Sequence, residues 1–490
     1  MQLIKLNKEP NINPKFKAFP YQDEAVRNVC DLEYSAIFHE QGLGKSKIAI
    51  DIMLYWLENK YVDTVLFLVK KNLVNNWLKE LRNHSFITPR IITQNKKGNF
   101  YVFNSPSRLM IAHYETVKSE EERYKLFLNT RNVAVILDEA TKIKNPDSDI
   151  AKILFELAPL FKKRIIMTGL PVANRPYDIW AQIYFLDKGK SLGVDFQEFK
   201  RKADFNSSMS TSESEQEGFE EYLSTINERI SKFTVRETKQ SGVIILPDKV
   251  FENISTSWEL RQLDLYRQVR NDLKSIVIKE GILTEDNAES IMKRLLRLVQ
   301  IASNPKMVDE SYTNEPGKLQ YLYEIVLNII RNNEKCIVWT SFVENVEELA
   351  KYLKAFGICK VHGKLNMEQR NREIDMFIND ITKKVLIATP GSAKEGLTLT
   401  VANHAIFYDR TFSLDDYSQA QDRIHRISQN KICYVYNLIM EDSIDQWVDA
   451  LLRAKELSAK LSQGDISKEY YSSQISYQFI DIFRDILNIN

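Results

Sequence analysis

The chain has 490 residues, of which 44% are hydrophobic and 27% charged, with a formal net charge of +1. That length exceeds what one hydrophobic core organises and predicts two or three domains. The near-neutral charge excludes attraction to nucleic acid over the whole surface, so any such binding has to come from a local cleft. No apolar run is long enough to cross a bilayer and the N-terminus "MQLIKLNKEPNINPKF" lacks a signal-peptide core, so no membrane partner and a cytoplasmic location are expected. Four scattered cysteines, with no C-x-x-C pair, read as small buried hydrophobes rather than zinc ligands or disulfides.

In chain order, "SAIFHE", "TVLFLV", "LMIAH", "VAVILD" and "RIIMTG" are short continuous apolar runs, and "KCIVWTS", "ICKVHG", "KVLIAT", "HAIFYD" and "CYVYNL" follow after Lys335. Such runs suit buried parallel strands with helices between them. The predicted fold class is therefore α/β, two doubly wound parallel-sheet lobes with helical insertions between them. The boundaries are read as lobe 1 over 1–188, a helical protrusion with a flexible Ser/Glu-rich loop over 189–235, a linker and second protrusion over 236–315, lobe 2 with a brace over 316–465, and a tail helix over 466–490. The acidic stretch "FNSSMSTSESEQEGFEEYL" reads as solvated surface.

The first chemistry-bearing motif is "HEQGLGKS", between a predicted strand and a predicted helix. Gly42 and Gly44 allow backbone N–H groups to approach phosphate oxygens. Lys45 offers charge to the β- and γ-phosphates, and the Ser46 hydroxyl can ligate magnesium. His39 stands where the strict phosphate-loop pattern has Gly. Downstream, "VILDEATKIKN" ends an apolar strand in Asp138 and Glu139. One carboxylate then lies near the magnesium, and the other can polarise an attacking water. An isolated "DEA" would only cap a helix; its distance behind a phosphate loop in one α/β block favours the catalytic reading. In "QAQDRIHRISQ", Arg423 and Arg426 are three apart, hence neighbours on a helical turn and able to point at one anion. A solvated basic face is the plain alternative. Nucleotide hydrolysis, however, needs cations on the γ-phosphate, and a site assembled from two lobes opens and closes with nucleotide state, as a motor does.

These residues resemble the Swi/Snf-type helicase-like ATPases of helicase superfamily two, in order along nearly the whole chain. "FPYQDEAV" is similar to the adenine-reading segment, with Gln22 as reader, and "HEQGLGKS" resembles D-E-M-G-L-G-K-T, in which a non-Gly first residue is normal. Leu43 belongs to the same nucleotide-binding loop. The N-W-x-x-E element falls on Asn76, Trp77 and Glu80, and the short Tyr-Glu segment on Tyr114 and Glu115. L-T-G-T-P-x-x-N falls on Thr168, Gly169, Pro171 and Asn174, and R-x-x-K…L-P-x-K on Arg236, Lys239, Leu246, Pro247 and Lys249. "IMEDSIDQWV" is similar to the segment that braces the second lobe. Thr141, Leu170, Thr398 and Ser428 depart from the family pattern; none removes a metal ligand, the water-activating carboxylate or an arginine finger.

The resemblance implies two RecA-like lobes, ATP and Mg2+, and translocation along double-stranded DNA through backbone contacts that carry no sequence readout. It assigns catalysis to Lys45, Glu139, Arg423 and Arg426, metal ligation to Ser46 and Asp138, and coupling to Thr168, Gly169, Gly396 and Gln419. Asn76, Trp77, Lys144, Asn145 and Thr340 are candidate DNA contacts. For each the alternative is packing within its own lobe, and for Trp77 the two readings weigh equally. The motor core uses nearly all the residues, so a bacterial or phage protein is expected, one acting in DNA replication, repair, recombination or defence with any specificity supplied by a protein partner. A strand-separating helicase for DNA or RNA, and an inactive nucleic-acid-binding scaffold, are the rival readings.

Overall fold

Each of the ten apolar runs becomes a strand in the computed structural model, which describes residues 4–204, 213–280, 288–392 and 398–475. The chain forms two units, Met1–Ile245 with Ser458–Ser473 and Leu246–Leu457 with Gln474–Asn490. The Ser/Glu-rich stretch 205–212, the tail 476–490 and Gly396 lie outside the described residues.

The sheet of the first unit contains β1 (Tyr34–Ile37), β2 (Thr64–Val69), β3 (Arg90–Ile92), β4 (Leu109–His113), β5 (Val133–Asp138), β6 (Lys163–Met167) and β7 (Thr234–Val235). Its order is β3-β4-β2-β5-β6-β1-β7 and every pairing is parallel. Motif residues of this unit lie on α1 (Pro20–Val29), α2 (Lys45–Glu58) and α3 (Val74–His84), among other helices. Buried Ile48, Ile52, Met53 and Trp56 of α2 share one core with Phe67, Trp77, Ile136 and Ile165. Full burial of side chains of this size stabilises by roughly 1.5–3 kcal/mol each, which fixes α2 over the sheet.

The second unit repeats the plan with β8 (Lys249–Thr256), β9 (Cys336–Trp339), β10 (Ile358–Val361), β11 (Val385–Ala388), β12 (His404–Phe407) and β13 (Cys433–Met440). The order is β10-β11-β9-β12-β13-β8, again parallel throughout. Consecutive strand residues serve opposite cores: Ile337 and Trp339 pack on one face, Cys336 and Val338 on the other. That is the period-two alternation of a sheet covered on both sides. Within this unit Lys318 Nζ, wholly buried, pairs with Asp445 Oδ2 at 2.5 Å. The pair ties the helix Lys318–Arg331 to the start of the helix Ile444–Ser462.

Three strands are absent from the sequence reading. β3 and β7 are only three and two residues long. β8 lies in the stretch read as linker and helical protrusion, yet it pairs with β13 along eight residues. The helices expected in the middle of the chain are present as Glu213–Ile230, Leu260–Glu280 and Ala288–Ser303. Among the described residues no helix is long and apolar enough to cross a membrane.

Candidate functional site

Three adjacent strands of the first sheet, β5, β6 and β1, end side by side and carry Asp138, Thr168 and the phosphate loop at their carboxyl ends. Ligands of open α/β sheets gather at such strand ends. The loop turns on Gly42 (φ 88°) and Gly44 (φ 70°), both left-handed, and α2 begins at Lys45. The first backbone N–H groups of α2 have no intrahelical acceptor and face the loop, the arrangement that receives an anion. Lys45 Nζ donates to the carbonyls of His39 (2.8 Å) and Glu40 (3.2 Å), so its ammonium sits over the loop.

Two neighbours approach the loop closely. A Cβ at Gly44 would stand 2.2 Å from Gln22 Nε2, and one at Gly169 would stand 3.1 Å from Gln41 N and 3.2 Å from Lys45 Nζ. The segment after β6 therefore touches the phosphate loop. Thr168 beside it is buried, and its Oγ1 accepts from Leu170 N at 3.2 Å. Gln22, on α1, accepts from Phe19 N (3.0 Å) and donates toward Leu43 O (3.4 Å), while Tyr21 OH donates to the same carbonyl at 3.0 Å.

His39 is 2% exposed, and burial together with the Lys45 charge pushes its imidazole down to about 4, against a backbone hydrogen bond with Val235. It is neutral at physiological pH and adds no charge to the loop. Arg236 holds the returning chain there: its Nη1 donates to Phe38 O at 2.7 Å and its other nitrogens pair with Asp465.

Asp138 closes β5. Its carboxyl is pushed upward by burial and by the neighbouring Glu139 charge, opposed by the Trp77 hydrogen bond and the Lys45 charge. Glu139 takes a left-handed backbone (φ 51°, ψ 57°), uncommon for a residue with a side chain. Such strain costs on the order of 1–3 kcal/mol and gathers at functional sites. Ser46 lies on the first turn of α2.

Two candidate DNA contacts take the packing alternative in this structure. Trp77 is 2% exposed, and its Nε1 donates to Asp138 Oδ2 at 2.6 Å, so the indole faces the carboxylate and not solvent. Thr340 is wholly buried, with Oγ1 donating to Asp409 Oδ2 at 2.5 Å. Asn76 is half-buried and Asn145 exposed, while Lys144 Nζ pairs with Asp178 at 3.3 Å.

In the second unit the helix Leu414–Gln421 stops before both arginines, so they do not share a helical turn. Asp422 pairs with Lys249 at 3.0 Å and His425 Nε2 donates to Pro247 O at 2.8 Å, drawing this segment out of helical geometry. Arg423 is 2% exposed; Arg426 is half-buried, with Nη1 donating to the Thr398 hydroxyl at 2.9 Å. Gln419 is buried and donates to Asp415.

A cavity of about 430 Å³ opens at the carboxyl ends of β11, β9 and β12, lined among others by Ser341, Gly363, Arg370, Thr389, Ser392 and Arg410. Arg410 Nη1 pairs with Asp449 at 2.6 Å, while its Nη2 is buried without a hydrogen-bond partner. Sequence reading missed Tyr21 and Arg410, and it named Arg236 in a motif without giving it a role. Tyr21 and Arg236 stand inside the quoted motifs, and a strand-end arginine beside Asp409 was the signal for Arg410.

A phosphate loop, a strand-end Asp-Glu pair and a second parallel lobe define a class, the two-lobed phosphate-loop proteins. Residues 21–307 match the SNF2-related domain and residues 317–428 the helicase conserved C-terminal domain. The chain belongs to the SNF2-related family. It is similar to an uncharacterized ATP-dependent helicase of Mycoplasma pneumoniae, 26% identical over 481 residues, 94% of this chain and 44% of that protein. It is 24% identical to the ISWI chromatin-remodeling complex ATPase ISW1 of Saccharomyces cerevisiae over 95% of this chain and 43% of that protein. The chain thus spans less than half the length of these two relatives. A solved structure, the Sulfolobus solfataricus SWI2/SNF2 ATPase core in complex with dsDNA, aligns over 100% of both chains at 23% identity and a TM-score of 0.44.

Proposed function

We propose that the chain is a DNA-dependent ATPase that translocates along double-stranded DNA. The observation that carries the reading is the gathering of Lys45, Asp138 and Gly169 at the carboxyl ends of β1, β5 and β6. Loop amides and Lys45 bind the phosphates, Glu139 orients and deprotonates the attacking water, and Arg426 with Arg423 supplies positive charge to the γ-phosphate in the transition state.

The donor set fits magnesium. One hydroxyl, from Ser46, and one carboxylate, from Asp138, are hard oxygen donors. Among the described residues no group of three or more His, Cys, Asp or Glu could cage an ion. Magnesium is commonly held in just this way, by one or two protein oxygens with the substrate phosphates and water. When bound it neutralises developing charge on the β- and γ-phosphate oxygens.

The grip on DNA is assigned to Asn76, Lys144 and Asn145 in the first unit and to the Arg370–Arg410 cavity in the second. Hydroxyls, amides and a few cations can hold backbone phosphates on a protein of net charge +1. Family membership and the chromatin-remodeling name of the yeast relative support duplex as the track.

Turnover measured with duplex DNA, single-stranded DNA and RNA tests this directly. Duplex is expected to raise a weak basal rate many-fold; equal rates with and without DNA sink the proposal. Displacement of a triplex-forming strand from intact duplex, without unwinding of a fork, separates translocation from strand separation. Replacing Arg410 by Gln keeps a polar head on a shorter stem and removes one cation. The slope of log affinity against log salt is then expected to become shallower by about one, equally for all sequences. An unchanged slope would remove the cavity from the DNA path.

A further inference from the structure

The bond between Trp77 and Asp138 joins elements 61 residues apart. We propose that Trp77 is a positioning residue that holds the Asp138 carboxylate for magnesium and ties it to the placement of α3, so that DNA against α3 is sensed at the metal. The inference rests on the ATP-site reading above.

An indole has one N–H and no acceptor, so its hydrogen bond has one direction. The ring cannot swing: it is 2% exposed and its centroid lies 4.8 Å from that of Phe67. At 2.6 Å from Nε1, Oδ2 is engaged, so Oδ1 is the oxygen that would hold a metal. The same residue is held a second time, by Tyr114, whose buried hydroxyl donates to Asp138 O at 2.9 Å. Carboxylate and carbonyl of Asp138 are thus both fixed from outside β5. A ring that served only to fill space would not need its N–H aimed at the carboxylate that closes β5.

The link to α3 follows from helix geometry. Successive residues of a helix point about 100° apart, and here Asn76 is half-buried while Trp77 is turned into the core. A movement of α3 by as little as ~1 Å takes a short hydrogen bond out of range. A phosphate held by Asn76 therefore stabilises the helix position in which Asp138 is correctly oriented.

Trp77→Phe in the full chain keeps an aromatic ring and removes the donor. Binding of Mn2+ with a non-hydrolysable ATP analogue, followed by electron paramagnetic resonance, reads the metal site without turnover. Groups that orient a metal ligand typically contribute 10–100-fold, so Mn2+ affinity is expected to fall about 10-fold, and DNA stimulation of turnover to fall with it. Wild-type Mn2+ affinity in a Trp77→Phe protein of unchanged melting temperature overturns the proposal. Weaker Mn2+ binding with full DNA stimulation overturns the link to α3. Should Trp77→Phe not fold, the indole N–H spectrum of the wild-type chain, which has six tryptophans, replaces it. The resonance altered by Asp138→Asn is expected to move when Mg2+ and the analogue bind, because the metal withdraws charge from the accepting carboxylate; a stationary resonance overturns the proposal. Failure of the ATP-site reading looks different: the wild-type chain then binds no analogue, and Lys45→Ala changes nothing.

Discussion

Glu139→Gln is expected to abolish ATP turnover, by about 10²–10⁴-fold, while ATP affinity stays within a few-fold of wild type. Glutamine keeps the size and hydrogen-bonding reach of glutamate but cannot take the proton from an attacking water. The loop and Lys45, proposed to hold the phosphates, are untouched by the substitution. It also removes the negative charge that pushes the Asp138 carboxyl upward, which leaves that ligand at least as available to a cation as before. The left-handed backbone at Glu139 is retained, so the fold is expected to melt as wild type does. The check pairs single-turnover phosphate release with equilibrium binding of a fluorescent ATP analogue. Turnover within ten-fold of wild type would remove Glu139 from the role of general base. Loss of binding together with turnover would mean that the side chain supports the loop instead.

The parts of this site that were legible in the sequence are those whose chemistry is local. A phosphate loop is written in a few consecutive residues, because backbone amides, a lysine and a hydroxyl must all converge on one phosphate chain; Gly42 and Gly44 carry the left-handed turns this requires. Buried parallel strands were legible because both faces are covered, so their sequences are apolar without interruption. β8 was not, for the opposite reason. It lies at the sheet edge and leaves Val250, Phe251, Glu252 and Asn253 exposed, a pattern that resembles neither a buried strand nor an amphipathic helix. The fates of Trp77 and Thr340 were illegible because each is decided by a partner far along the chain. Asp138 claims one and Asp409 the other. A motif match fixes which residue is present at a position, not which way its side chain is turned.

Both buried aromatics at Asp138, Trp77 and Tyr114, come from two short motifs, the N-W-x-x-E element and the Tyr-Glu segment. Their hydrogen bonds give those motifs a physical content. Trp77 ties α3, and Tyr114 the residue after β4, to Asp138 through hydrogen bonds of 2.6 and 2.9 Å. The same logic applies in the second unit, where Thr398, a departure from the family's asparagine, accepts from Arg426 at 2.9 Å. A threonine hydroxyl can accept that bond as an asparagine carbonyl would.

Arg426→Ala is the second large effect expected, a fall in DNA-stimulated kcat of about 10³–10⁵-fold with nucleotide affinity little changed. A cation that meets charge only as it develops on the γ-phosphate contributes to the transition state and not to the bound ground state. Arg426 is a cleaner probe than Arg423, since Arg423 is 2% exposed and its removal disturbs packing as well as charge. Lysine at 426 is expected to recover little, because a point charge on a flexible stem does not reproduce the planar fork of a guanidinium. Free guanidinium added to the Arg426→Ala protein is expected to restore part of the lost rate, whereas it should do nothing for Glu139→Gln. Thr398→Val, which removes one of the acceptors that hold Arg426, is expected to fall between wild type and Arg426→Ala. A loss smaller than ten-fold in Arg426→Ala, or a loss that guanidinium leaves untouched while the melting temperature drops, would make Arg426 a structural residue and return the search for the γ-phosphate cation to Arg423.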